Sequence, residues 1–205
     1  MFDLASLLFF LGSSVLITLA PGPDIIFTIT QGLSNGKKAG ATTAIGLASG
    51  NLVHTTAAAL GLSVLFKTSP LAFWILKIAG ALYLLYLAFQ SIRHRNDTLN
   101  ISAANGKKEN LFWRGFLMNI MNPKVALFFI AFLPRFVDPD NGRVMLQFIV
   151  LGLIFAVQVV FVFGAAGYFA GAFGEMLRKH KGFSRYMNII SAVVFTGIAV
   201  SLLFF

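Results

Sequence analysis

A chain of 205 residues that is 58% hydrophobic and 11% charged, with a mean hydropathy of +0.83, is neither a soluble domain, nor disordered, nor a coiled coil; soluble domains run about 45–50% apolar and about 25% charged. The absence of cysteine excludes disulfides, thiolate metal centres and thiol redox chemistry. The net charge of +9 would suggest nucleic-acid binding in a soluble protein, but here the basic residues fall mostly between apolar segments, where membrane topology accounts for them.

Six apolar segments follow one another, at about 4–33, 41–66, 71–91, 113–133, 144–173 and 186–205. Several exceed the ~20 residues that cross a hydrocarbon core, and all are too long and too uniformly apolar for barrel strands, so helix is the expected state. Met1 to Asp3 supplies no basic region ahead of the first apolar run, which is therefore read as a retained span and not a cleaved signal. The polar loop at about 92–112 carries two N-x-[S/T] sequons, at Asn96 and Asn100. The expected fold is an all-α membrane protein of six transmembrane helices, arranged as two inverted three-helix repeats with the first and fourth helices broken. It forms one transmembrane domain over 1–205, with halves at about 1–91 and 113–205 joined by the loop.

Orientation follows from the basic residues. Lys37, Lys38, Arg93, Arg95, Lys107, Lys108, Arg114, Arg178, Lys179, Lys181 and Arg185 fall on one side, against Lys67, Lys77, Arg135 and Arg143 on the other. The positive-inside rule puts the larger group in the cytoplasm and both termini outside. The sequons then lie in the cytoplasm, out of reach of glycosylation.

Two segments are interrupted. The first contains Ala20-Pro21-Gly22-Pro23-Asp24 and the fourth Asn119-Ile120-Met121-Asn122-Pro123-Lys124. Proline removes a backbone donor and clashes with the preceding turn, so each break exposes backbone polar groups that lipid cannot satisfy and that must line a cavity or meet a ligand. One such break is ordinarily a kink. Two, in the corresponding spans of two three-span halves and each beside an ionisable residue, point to a transporter's binding site. A half-helix starting near Pro23 aims its positive end at the break, which suits a carboxylate.

The candidate site residues are Pro21, Gly22, Pro23, Asp24, Asn119, Asn122, Pro123 and Lys124, with Asn51 and Gln158 from neighbouring spans. Asp24 reads either as a first-turn acid satisfying orphan N–H groups or as a proton carrier or ammonium partner. In the second half, Asn122 is expected to cap a half-helix that begins at Pro123. Lys124 would then oppose its own helix dipole, so a partner is expected, either Asp24 or a substrate carboxylate. His54 reads mainly as interhelical glue. Gln31, seven residues beyond Asp24, is placed on the same cavity wall. Gly46 with Gly50, and Gly167 with Gly171, are packing signals first and dimer contacts second. Gly32-Leu33-Ser34-Asn35-Gly36 fits the hydrolase G-x-S-x-G pattern, but at the end of a membrane helix it reads as a glycine cap and turn. The three histidines are too scattered for a metal cluster, and no phosphate loop is present. Neither an enzyme nor a cofactor is therefore expected.

Pro-Gly-Pro-Asp at 21–24, followed by Gln31-Gly32, Gly36, Gly40, Gly46 and Gly50, resembles the LysE/RhtB family of amino-acid exporters. Asn122-Pro123-Lys124, followed by Phe128-Phe129, Phe132-Leu133-Pro134 and Phe136-Val137, resembles that family's second hallmark. The resemblance implies secondary-active export of amino acids or close derivatives from a bacterial cytoplasm across the inner membrane. It further implies drive by the proton motive force and a tendency to dimerise; Asp24, on the residues' own reading, either meets the substrate ammonium or exchanges the coupling proton. The residues alone also admit a transporter of another small solute or ion, or a membrane scaffold that moves nothing.

Overall fold

The computed structural model describes residues 2–96, 110–179 and 183–204. The sequons at Asn96 and Asn100 reach into 97–109, and Lys107, Lys108, His180 and Lys181 also lie outside the described residues. The described residues form an all-helical bundle: α1 (Leu4–Leu19), α2 (Pro23–Asn35), α3 (Lys37–Thr68), α4 (Pro70–Arg93), α5 (Leu111–Ile120), α6 (Pro123–Leu127), α7 (Val144–Lys179) and α8 (Phe183–Phe204). A π-helical turn, Phe128–Phe132, and a 3₁₀ turn, Leu133–Phe136, extend α6.

Helix boundaries follow local chemistry. Asp3 caps α1, accepting the Ser6 N–H at 2.9 Å and the Ser6 hydroxyl at 2.6 Å, and these bonds hold its carboxyl below the usual range. Ser69 caps α4, where Pro70 takes the first helical position. Gly36 alone joins α2 to α3 at φ +84°, a left-handed conformation that a side chain resists. The hydrolase-like pentapeptide is thus a helix cap and a turn, as its position implies.

Among the described residues, three helices are long and apolar enough to cross a membrane: Leu71–Arg93, Val144–Ala172 and Arg185–Phe204. Two bent pairs there qualify as single spans, α1 with α2 at 62° and α5 with Pro123–Phe136 at 49°. The chain is a multi-pass membrane protein, its described residues supplying three such spans, or five if each bent pair crosses once. The second apolar segment of the sequence is helical throughout as α3 but falls outside this set, because Thr42, Thr43, Ser49, Asn51, His54, Thr55 and Thr56 dilute its hydropathy.

α3 packs along α7 and α5, α2 packs on α7, and α4 pairs with α8. These contacts are close because they are built on glycine. A Cβ on Gly46 would lie 2.2 Å from the Phe112 carbonyl oxygen, and one on Gly167 would lie 2.8 Å from Gly40 Cα. A Cβ on Gly50 would meet the Asn119 side chain at 2.7 Å and one on Gly171 the Lys37 backbone nitrogen at 2.7 Å. The four-residue glycine spacings thus seat helices within the chain. The core is aromatic around the π turn, where Phe128 packs on Phe155 with ring centroids 4.7 Å apart and Phe10 meets Phe136 at 5.1 Å.

Gly46→Val should destabilise the bundle by about 1–3 kcal/mol through overpacking against α5. Gly164→Ala, where a Cβ meets nothing within 4 Å, should be close to neutral. Thermal unfolding of the two variants in detergent measures the difference.

Candidate functional site

Both breaks form as the sequence implies. α1 ends at Leu19 with Ala20 as its C-cap, Gly22 is extended, and α2 begins at Pro23 with Asp24 in its first turn. α5 ends at Ile120 with Met121 as its C-cap, and Asn122 Oδ1 accepts the Lys124 N–H at 3.0 Å, capping the helix that Pro123 opens. Pro23 with Asp24 and Pro123 with Lys124 therefore occupy the same places in two half-helices.

The two breaks are joined crosswise. Asp24, 1% exposed, lies at the start of α2, and its Oδ2 accepts the Asn119 amide at 3.0 Å from the end of α5. Lys124, 7% exposed, lies at the start of α6, and its Nζ donates to the Ala20 carbonyl at 2.9 Å and the Ile17 carbonyl at 3.1 Å, at the end of α1. Each charged residue thus reaches back to the terminus of the other broken helix. Gly22 leaves the room this requires, since a Cβ there would stand 3.0 Å from Lys124 Nζ.

Of the two partners the sequence leaves open for Lys124, Asp24 forms no ion pair with it among the described residues, and the α1 carbonyls hold its ammonium. A cation at the start of α6 is unfavourable to α6 but favourable to the C-terminus of α1, whose last carbonyls have no intrahelical partner.

Two cavities meet at this junction. The inner one, about 10 Å³, is lined by Thr18, Asp24, Asn51, Asn119 and Lys124 on its polar side and by Phe128, Phe155 and Phe163 among its apolar residues. That is about the room of a single water. The outer one is a vestibule of about 540 Å³, lined by Pro21, Gly22, Pro23, Asn122, Pro123 and Lys124 of the breaks and by side chains of α4 and α8. Ligand pockets run about 300–1,000 Å³. Lys124 belongs to both cavities.

Buried polar atoms without partners concentrate here: Asp24 Oδ1, Asn51 Oδ1 and Nδ2, Asn119 Oδ1, Asn122 Nδ2 and Gln158 Oε1. Buried polar groups are ordinarily satisfied, and such a cluster marks a place built for something other than packing.

The structure brings together Pro21 through Asp24, Asn119, Asn122, Pro123, Lys124 and Asn51. Gln158 stands one step back, its Nε2 donating to Thr18 Oγ1 at 2.9 Å. His54 bonds the Asn119 carbonyl at 3.1 Å and stacks on Phe129, the structural role expected of it. Gln31 lines neither cavity; it accepts the Asn35 amide at 2.7 Å within α2. Sequence reasoning missed Thr18 and the α4 and α8 residues of the vestibule, among them Tyr83, Gln90 and Asn188. The only available signal was that polar side chains interrupt otherwise apolar helices.

Crossed broken helices that bury an aspartate and a lysine between an open vestibule and a small cavity, polar on one side only, are the features of a membrane translocator. The chain belongs to the LysE type translocator family, whose model matches residues 15–204. It is 34% identical over 145 residues to the homoserine/homoserine lactone efflux protein of Salmonella typhi, covering 70% of each chain. The protein of the same name from Salmonella typhimurium matches to the same extent, 34% over 145 residues and 70% of each chain. An uncharacterized membrane protein of Vibrio cholerae serotype O1 is 31% identical over 202 residues, 98% of this chain and 97% of that one. No solved structure matches.

Asn122→Ala should lower stability by about 1 kcal/mol by removing the cap of α6, and Asn122→Ser should restore most of it. Melting of the purified variants in detergent reads the loss and the rescue.

Proposed function

We propose that the chain is a secondary-active exporter of amino acids or close derivatives in a bacterial inner membrane, a single transporter domain working by alternating access. Its frame is six spans in two inverted halves, α3 being the second span, with both termini outside. The observation that carries this reading is the crossed pair of breaks, with Asp24 and Lys124 buried at equivalent positions. Membership of a translocator family and the efflux function named for two relatives support the direction of transport and the solute class.

In this reading the vestibule faces the cytoplasm. Its mouth includes His94 at the end of α4 and Asn188 near the start of α8, the end of the bundle where Lys37, Lys38, Arg93 and Arg114 also fall. A solute carboxylate docks against Lys124, beside Asn122, and competes for the ammonium with the α1 carbonyls. Breaking those two bonds loosens α1 from α6, and closing the vestibule behind the solute completes the switch. Asp24 lies in the inner cavity, which has no room for an amino acid in this state. Its task is therefore to exchange a proton during the cycle, antiport being the simplest coupling to the proton motive force.

The test is efflux from cells preloaded with amino acids by dipeptide feeding, comparing the intact protein, Asp24→Asn, Lys124→Ala and an empty vector, with and without a protonophore. The intact protein should accelerate efflux of one amino-acid group at least several-fold, and each variant and the protonophore should remove the gain while membrane levels of protein hold. Normal export by Asp24→Asn would remove the proton role. No flux of any amino acid, with the protein present in the membrane, would remove the exporter reading.

A further inference from the structure

A further pocket lies at the far end of the seam between α1 and the segment that follows the second break. α1 runs from Asp3 to the first break, and Pro123 to Phe136 runs back from the second, so the two strips lie side by side beyond the inner cavity. At their end a pocket of about 440 Å³ is lined by Asp3 and Ser6 at the start of α1, Arg135 and Phe136 of the 3₁₀ turn, and Asp138 and Asn141 of the loop before α7. That volume is in the range of ligand pockets. A column of rings joins it to the inner cavity. Phe136 lines the pocket and Phe128 the cavity. Phe10 lies 5.1 Å from Phe136 and 6.2 Å from Phe128, and Phe132 lies 5.1 Å and 5.2 Å from the same two rings.

The charged groups of this pocket are held in place. Gln147 of α7, fully buried, accepts the Asp138 N–H at 2.9 Å and donates to the Asp138 and Gly142 carbonyls at 2.8 Å each. The Asp138 carboxylate accepts the Asp140 N–H at 2.9 Å on one oxygen and the Asn141 amide at 2.5 Å on the other, and a carboxylate oxygen can accept more than one bond. Arg135, half-buried, lies with its guanidinium 5.0 Å over the Phe9 ring. Both signs of charge thus converge on one space from separate stretches of chain. A solute that carries a carboxylate and an ammonium meets a partner for each, and partners already fixed lose little freedom when it binds. The groups stay partly solvated, so each pair is weak, which suits a solute that must leave.

We propose that this pocket is a second solute site, an exit station on the outer face that holds an amino-acid zwitterion by its two backbone charges, the carboxylate on Arg135 and the ammonium on Asp138. Gln147 is a positioning residue for Asp138, and the ring column is the barrier between this site and the inner cavity. The inference rests on the exporter reading, and adds to it a low-affinity site far in sequence and in space from the vestibule.

The chain has no cysteine, so a single introduced one reports on the pocket. The test follows modification of Asn141→Cys by a membrane-impermeant thiosulfonate in right-side-out membrane vesicles, with Ser6→Cys as the reporter if the first variant does not insert. Four probes are added outside: L-homoserine, L-alanine, 4-hydroxybutyrate, which is homoserine without its ammonium, and 3-amino-1-propanol, which is homoserine without its carboxylate. Both amino acids should protect the cysteine, and each truncated probe should need at least about tenfold more for half-protection. Asp138→Asn should bring homoserine and 4-hydroxybutyrate to within about twofold, and Arg135→Gln should do so for homoserine and 3-amino-1-propanol. A merely structural role for either residue would not produce that matched loss. Equal protection by all four probes, or ratios unchanged in the variants, would overturn the exit site and leave the exporter standing. So would a reactive cysteine that no probe protects, or one modified only in inverted vesicles, while preloaded cells still export. Protection with the matched losses but no amino-acid efflux from preloaded cells would overturn the exporter and leave an outer amino-acid site.

Discussion

The Lys124 ammonium, held by the Ile17 and Ala20 carbonyls, answers two demands at once. α1 stops inside the bundle, and its last carbonyls have no intrahelical partner. Lys124 sits inside the same bundle and needs acceptors for a charge that is costly there. Each solves the other's problem, and the solution fixes where α6 lies against α1. Asp24 and Asn119 repeat the arrangement in the opposite sense, so the two breaks are one structural unit assembled from both halves of the chain.

The rest of the bundle serves to bring those four ends together. Glycines at 32, 40 and 167 let α2, α3 and α7 approach to backbone contact, and Gly46, Gly50 and Gly115 do the same for α3 and α5. The close α3–α5 packing places Asn51 on the inner cavity and lets His54 hold the Asn119 carbonyl. The α4–α8 pair stands apart from this glycine-packed group and touches the π turn, which leaves the vestibule between them.

Much of the frame was legible because its causes are local. Apolar runs mark the helices, Pro23 and Pro123 mark where half-helices start, and Asn122 precedes its proline in the position of a cap. What stayed hidden depends on distance. Lys124 read alone has only its own helix dipole, which disfavours it; the carbonyls that favour it come from residues 104 and 107 positions earlier. Gln90 near the end of an apolar run looks like any interfacial polar residue until α4 is packed across from the breaks. Gln31 misled for the opposite reason: helical spacing puts it below Asp24, but a closer partner, Asn35, takes its side chain. The hydroxyls and amides of α3 serve interior contacts and lower the hydropathy of the whole segment, so that by composition alone it falls outside the helices apolar enough to cross a membrane.

The π turn at Phe128–Phe132 holds one residue more than α-helical winding would, and the widened turn absorbs it. Deleting one residue there would let the segment wind as ordinary helix and leave the flanking parts near their present directions. What would go is the spread of three fully buried rings, Phe128, Phe129 and Phe132, from one short segment onto Phe10 of α1 and Phe155 of α7. The extra residue thus acts as a spacer that lets one strip of chain grip two helices at once.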